Sequence, residues 1–128
     1  MPTIFTKILS GEIPAHKIGE NEKFLAFLDI RPITEGHALV IPKTEVDYFF
    51  DIEDSLMGEL MVFAKKMAVK IKRVVPCKKV GVIVAGIEVA HAHVHLIPIN
   101  EVSDLSFSKA KAVPHEELAK VAERIRKA

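Results

Sequence analysis

The stretch His91-Ala92-His93-Val94-His95-Leu96-Ile97-Pro98 alternates imidazoles with apolar side chains and then becomes wholly apolar. A period of two belongs to a strand, whose side chains point to opposite faces in turn. The pattern predicts a strand over about His91–Ile99. His91, His93 and His95 then share one face, and Ala92, Val94 and Leu96 share the other. At a rise of about 3.3 Å per residue, successive histidines stand about 6.6 Å apart. The apolar face can anchor on a core while the imidazole row forms a rigid platform. A lone histidine is usually structural, but three in five residues on one face point to chemistry.

Two chemistries suit such a row. In the first it holds a metal. Zinc takes imidazole nitrogen at about 2.0–2.1 Å, so two ligands of one ion lie within about 4 Å of each other. His91 and His95 are about 13 Å apart along a flat strand, so three ligands from this strand fit poorly. His37 or Glu88 would have to complete the shell, and no Cys-x-x-Cys or His-Glu-x-x-His pattern is present. In the second, one imidazole attacks phosphorus and its neighbours position the substrate. A neutral imidazole is nucleophilic near pH 7 when an acceptor, commonly a carbonyl or carboxylate, holds its other nitrogen. The flanking histidines can then donate to phosphate oxygens as charge develops. The middle position, His93, has a donor on each side.

Outward from the row, the spacing predicts strands about Lys79–Ala85, Ala38–Pro42, Phe24–Asp29 and Ala15–Glu20, with turns at Gly19–Asn21 and Arg31–Gly36. Leu56, Leu60, Phe63, Met67 and Ile71 draw one apolar stripe and predict a helix over Glu53–Arg73. Asp51 is its expected N-cap, and Lys70, Lys72 and Arg73 suit its negative end before Pro76 stops it. A short helix is expected within Met1–Gly11 and an amphipathic one over Pro114–Lys127. Strands on either side of a central helix indicate an α+β fold with a largely antiparallel sheet.

The totals agree with a single domain over residues 1–128. Hydrophobic residues make up 49% and charged residues 27%, and the net charge is +1. Mixed charge of this kind excludes nucleic acid or an anionic membrane as a partner held by bulk electrostatics. The longest apolar run, Val80–Ile87, is too short to span a bilayer. One cysteine, Cys77, excludes an intrachain disulfide, and the N-terminus lacks a secretory pattern; a cytoplasmic location is expected.

The eight-residue stretch matches the motif His-φ-His-φ-His-φ-φ, with φ hydrophobic, of the histidine triad (HIT) family. Further blocks resemble its Hint branch: Ile4-Phe5 with Lys7-Ile8, Gly11-Glu12-Ile13-Pro14, Ala26-Phe27-Leu28-Asp29-Ile30, and Gly36-His37-Ala38-Leu39-Val40-Ile41-Pro42-Lys43. They run in order from about residue 4 to 98, leaving 99–128 as a C-terminal extension with a helix. The resemblance implies a five-stranded antiparallel sheet with a central and a C-terminal helix. It also implies a homodimer assembled partly through the central helix; no cofactor is expected, and the spacing of the row disfavours a metal. The implied reaction is hydrolysis or transfer at the α-phosphate of a purine nucleotide, often a phosphoramidate, through a nucleotidyl-histidine intermediate. A dinucleoside polyphosphate hydrolase and a nucleotide-binding dimer without turnover are the alternatives.

By motif position His93 is the implied nucleophile and His95 a phosphate contact, with His91 and His37 orienting the site. Asp29 falls where the family binds ribose hydroxyls, although it also reads as a turn residue before Arg31-Pro32. Ile4, Phe5, Ile8, Ile13, Phe27, Leu28 and Ile30 match positions that sandwich the base; for Ile13 and Phe27, plain core is an equal reading. Many relatives carry Asn-x-Gly and Ala-Gly-Gln before the triad. Here Val84-Ala85-Gly86-Ile87-Glu88-Val89-Ala90 runs straight into His91, with Ile87 in place of the Gln. Glu88 and Val89 then lie at nucleotide-contact positions. Glu88 has three readings: it repels phosphate unless protonated or paired with an imidazolium, it orients a histidine, or it points to solvent.

Overall fold

The computed structural model describes residues 2–128. In chain order the elements are α1 (Ile4–Leu9), β1 (Lys17–Glu20), β2 (Phe24–Leu28), β3 (Ala38–Pro42), α2 (Asp54–Val74), β4 (Lys79–Ile83), β5 (Val94–Ile99) and α3 (His115–Lys127). Single 3-10 turns occupy Phe49–Asp51, Val102–Asp104 and Phe107–Lys109. The five strands form one sheet in the order β1-β2-β3-β5-β4, and every pairing is antiparallel. This is the α+β architecture expected.

The sheet has two unlike faces. On one, Phe24, Ala26, Leu28, Val40, Val94 and Leu96 pack with Leu60, Phe63, Met67 and Ile71 of α2 and with Leu118, Val121 and Ile125 of α3. The predicted stripe on α2 is the face that is buried, apart from partly buried Leu56. Each such side chain contributes about 1.5–3 kcal/mol on burial, which makes α2 secure. On the other face a smaller cluster joins Phe5 and Ile8 of α1 to Leu25, Phe27, Leu39 and Ile41. A six-residue helix cannot stand alone in water. Here it is fastened by those two residues and by a capping box. Thr3 Oγ1 accepts the Phe5 and Thr6 amides at 3.2 and 3.3 Å, and Thr6 Oγ1 accepts the Thr3 amide at 3.1 Å. The beginning of the Met1–Gly11 expectation, Met1, lies outside the described residues.

Three expectations are corrected. Asp51 is not the α2 cap: it ends a 3-10 turn, and the chain runs extended through buried Ile52 to Glu53, which occupies the N-cap without its side chain capping a helix amide. Regular strand β5 begins at Val94, not His91, because the chain before it bonds elsewhere, the Ala92 amide donating to the Val46 carbonyl. β4 ends at Ile83, before the Gly86 turn at φ +73°. Among the described residues, no helix is long and apolar enough to cross a membrane.

Candidate active site

The alternation of faces survives although the first two histidines precede the strand. Ala92, Val94 and Leu96 belong to the helix-covered core. His91, His93 and His95 lie on the α1 side, where the Phe5 ring stands edge-on to His91 at 5.9 Å and to His93 at 5.0 Å. The rings lean together more than a flat strand would allow: the His93 and His95 centroids are 5.0 Å apart. His95 is fixed from both sides, opposite Leu39 in β3 and Ile83 in β4. His37 enters from the residue before β3 and is 1% exposed. The Gly36 backbone ahead of it has φ +88°, a left-handed conformation suited to glycine.

Backbone groups determine which nitrogen of each imidazole carries the proton. His93 Nδ1 lies 2.7 Å from the His91 carbonyl oxygen. A carbonyl only accepts, so Nδ1 carries the hydrogen and Nε2 keeps its lone pair. His91 Nε2 donates to the Pro42 carbonyl at 2.8 Å, leaving His91 Nδ1 as a buried acceptor without a partner among the described residues. The Ile33 amide donates to His37 Nδ1 at 3.0 Å, which assigns the His37 proton to Nε2. His37 Nε2 then donates to His95 Nδ1 at 2.9 Å. With Nδ1 accepting, neutral His95 carries its hydrogen on Nε2. A chain of hydrogen bonds thus runs from a backbone amide through two rings to one N–H donor beside the His93 lone pair.

Burial disfavours the charged forms of His37, His93 and His95. It pushes His37 down to about 4, and it does the same for His95 with help from the neighbouring His37 and His93. His93 is also lowered by burial, against the His91 carbonyl bond, which favours the charged form. Burial raises the Asp29 carboxyl, opposed by the Arg31 amide that donates to Oδ1 at 2.9 Å. Asp29 Oδ2 is 3.7 Å from His37 Nε2, and because His37 is neutral this is a polar contact and not an ion pair.

Asp29, His37 and His95 bring three ligand atoms within 4.8 Å of one another. The tautomer chain opposes their use for a cation. His37 Nε2 carries a proton as long as Nδ1 accepts the Ile33 amide, so a metal there would break that bond and the His37–His95 bond together.

The remaining predicted residues divide. Phe5, Ile8 and Phe27 lie in one cluster beside the histidines, with Ile13 and Val89 packed on its margin. Ile4 and Ile30 are exposed. Leu28 is not brought to them: alternation along β2 turns it into the opposite core, beneath α3. Glu88 is exposed, and its carboxylate favours the protonated form of His93, against burial. A cavity of about 520 Å3 between α3 and the turn at 32–37 touches His37 from the helix-covered side and none of the triad. Two participants escaped the sequence reading. One is the Ile33 amide, a backbone group that no side-chain pattern reports. The other is Phe107, whose ring lies 5.0 Å from His95.

Comparison with known proteins agrees with this geometry. A HIT domain model matches residues 10–102. An uncharacterized HIT-like protein of Methanocaldococcus jannaschii is 40% identical over 129 residues, covering 91% of this chain and 95% of that protein. The adenosine 5'-monophosphoramidase HNT1 of Saccharomyces cerevisiae is 43% identical over 97 residues, covering 74% of this chain and 61% of that protein. The crystal structure of a Hit-like protein involved in cell-cycle regulation from Bartonella henselae, with an unknown ligand, superposes with a TM-score of 0.86 at 28% identity, over 98% of this chain and 94% of that one. With its three histidines in place on the matching fold, the chain belongs to the histidine triad family.

Proposed function

We propose that the protein cleaves a purine nucleotide at its α-phosphorus, with a nucleoside phosphoramidate as the substrate type, by passing the nucleotidyl group through His93. The single observation that carries this reading is the His93 tautomer: Nδ1–H is tied to the His91 carbonyl, so the free lone pair is on Nε2. Among the described residues, neither His93 Nε2 nor the His95 Nε2–H has a protein partner, and neither is a sealed buried atom.

In the first step the Nε2 lone pair forms a bond to phosphorus and the bond from phosphorus to the amine breaks. The amine leaves with one proton taken from water. In the second step water attacks the same phosphorus, the Nε2–P bond breaks, and one proton returns to solvent. His93 is then neutral again with its hydrogen still on Nδ1. His95 donates Nε2–H to a phosphate oxygen throughout, and its ring is held by His37. Asp29 accepts ribose hydroxyls. Phe5, Ile8, Ile13, Phe27 and Val89, with the exposed Ile4 and Ile30, flank the base. The yeast relative supports the substrate type, being an adenosine 5'-monophosphoramidase. A homodimer is part of the proposal, supported by exposed Met61, Val62 and Val69 on α2 and Val82 on the edge strand β4.

The test is hydrolysis of adenosine 5'-phosphoramidate by the native protein and by His93→Ala. The expected outcome is release of adenosine monophosphate by the former and none by a folded His93→Ala. Equal turnover by the variant would refute the reading. A second reading, a nucleotide-binding dimer without turnover, has one observation in its favour: an apolar Ile87, 89% exposed, stands in place of the Gln that many relatives carry. Calorimetry showing tight mononucleotide binding, with no hydrolysis, would select it.

A further inference from the structure

The cavity between α3 and the turn at 32–37 has no part in the chemistry proposed for His93. Its volume of about 520 Å3 falls within the range of about 300–1000 Å3 usual for small-molecule sites. None of the three triad histidines lines it. Its floor is aliphatic: Leu28, Leu118 and Val121 belong to the helix-covered core, and Ile33 and Val113 extend the same surface.

The polar groups on that floor are already engaged. Thr34 Oγ1 donates to the Pro98 carbonyl at 2.8 Å, the Ile33 amide to His37 Nδ1 at 3.0 Å, and His37 Nε2 to His95 at 2.9 Å. No phenylalanine, tyrosine or tryptophan lines the cavity. A nucleotide base would find no such ring to stack on and no free group to pair with its edge, so its polar atoms would lose partners. An aliphatic chain needs neither. The rim, by contrast, is exposed and charged: Lys109, Lys111, Lys120 and Arg124 line it with Glu35 and Glu117. Lys109 lies 3.7 Å from Asp104, and Arg124 lies 3.8 Å from Glu35. Among the described residues, Lys111, Lys120 and Glu117 have no ion-pair partner. Two ammonium groups against one carboxylate leave an excess positive charge above an apolar floor.

We propose that this cavity is a second binding site, for an aliphatic anion: an alkyl chain on the apolar floor, with one carboxylate or phosphate head held by Lys111 and Lys120. The stems of both lysines can cover the chain while their ammonium groups stay at the rim. The occupant lies against Ile33 and His37, the first two members of the hydrogen-bond chain that ends on His95. His93 takes no part in holding it.

The test is an NMR titration of isotope-labelled protein with octanoate and octyl phosphate, and with octanol, hexanoate and inorganic phosphate as controls. Saturable shifts are expected at the Ile33, Lys111 and Leu118 amides. Octanol, which lacks the head, should bind about tenfold more weakly than octanoate. Hexanoate should also bind about tenfold more weakly, at about fourfold per methylene lost. Inorganic phosphate, which lacks the chain, should produce no such shifts. Lys111→Glu combined with Lys120→Glu, at exposed positions, should weaken octanoate by about tenfold and leave octanol unchanged. Val113→Trp, which fills the cavity, should abolish both. His93→Ala should bind octanoate as the native protein does, whatever becomes of its turnover. Octanol binding as tightly as octanoate, indifference to the lysine substitutions, or shifts centred on the Phe5–His93 cluster would each overturn the proposal.

Discussion

His93 donates its Nδ1–H to the carbonyl oxygen of His91, two residues earlier, at 2.7 Å. Because the acceptor is a carbonyl, the bond fixes one tautomer and turns the lone pair outward on Nε2. Burial meanwhile lowers the pKa of His93 below its ordinary 6.5. The nucleophile is therefore the neutral ring, and acid removes it. The acid limb of the kcat/KM profile should fall below pH 6.5 and be absent between pH 7 and 8. A pH series with a stable phosphoramidate checks this; an acid limb centred above 6.5 would conflict with a ring shielded from protonation.

His95 is the donor that this arrangement prepares. Replacing it with alanine removes the Nε2–H at the developing phosphate charge and should lower kcat by about 100- to 1000-fold, with a smaller change in KM. His37→Ala leaves the donor present but unanchored, so its loss of kcat should be smaller than that of His95→Ala. Steady-state kinetics of the two variants settles the order; a larger loss for His37→Ala would mean that the chain from Ile33 has been misread.

The same burial makes folding sensitive to acid. His37 is held near 4, while in the unfolded chain it titrates at its ordinary 6.5. Between those values the unfolded chain binds a proton that the folded one does not. Stability is therefore complete above pH 6.5 and declines as the pH falls toward 4. At about 1.4 kcal/mol per pH unit, this residue alone costs about 3 kcal/mol at the acid end. Urea melts at pH 7.5 and 5 should show the decline, and His37→Asn should reduce it, leaving the part that comes from His95. A slope unchanged by that substitution would remove His37 as its source.

Much of this was legible in the chain, and the gaps have physical causes. The α2 stripe was readable because its side chains share one environment, the core under the sheet. The triad was readable because alternation survives wherever the backbone is extended, even at His91 and His93, where no regular pairing holds it. The motif block Ala26–Ile30 does not tell its two faces apart, and strand alternation sends Phe27 to the histidine side and Leu28 to the opposite core. Asp51 failed as a cap because a buried Ile52 keeps the chain extended before α2. The Ile33 amide and the placement of Phe107 depend on tertiary contacts, which no local pattern carries.

Gly36 gives a test of how closely the turn is coupled to the site. A Cβ there would meet Val75 Cγ2 at 2.9 Å and Pro98 Cγ at 3.3 Å, at a φ of +88°. The left-handed backbone alone costs a residue with a side chain about 1–2 kcal/mol. Gly36→Ala should therefore lower unfolding stability by at least that amount and reduce kcat as well, because His37 is the next residue. A melt combined with an activity assay below the transition checks both; an unaltered melt would exclude the crowding.

Metal dependence separates the two chemistries that the histidine row first suggested. With the His37 proton committed to His95, the cluster of Asp29, His37 and His95 has no lone pair to offer at Nε2. Exhaustive treatment with chelator should leave kcat and KM unchanged. Loss of activity on chelation, with recovery on adding zinc, would favour a metal hydrolase.

The central claim is that His93 carries the nucleotidyl group. Mixing the protein with adenosine 5'-phosphoramidate, quenching within the first turnovers under denaturing alkaline conditions that preserve phosphorus–nitrogen bonds, and mapping peptides by mass spectrometry tests it. One adenylyl group should appear on His93, and none on the His93→Ala protein. Active protein with the group on another residue would contradict the account.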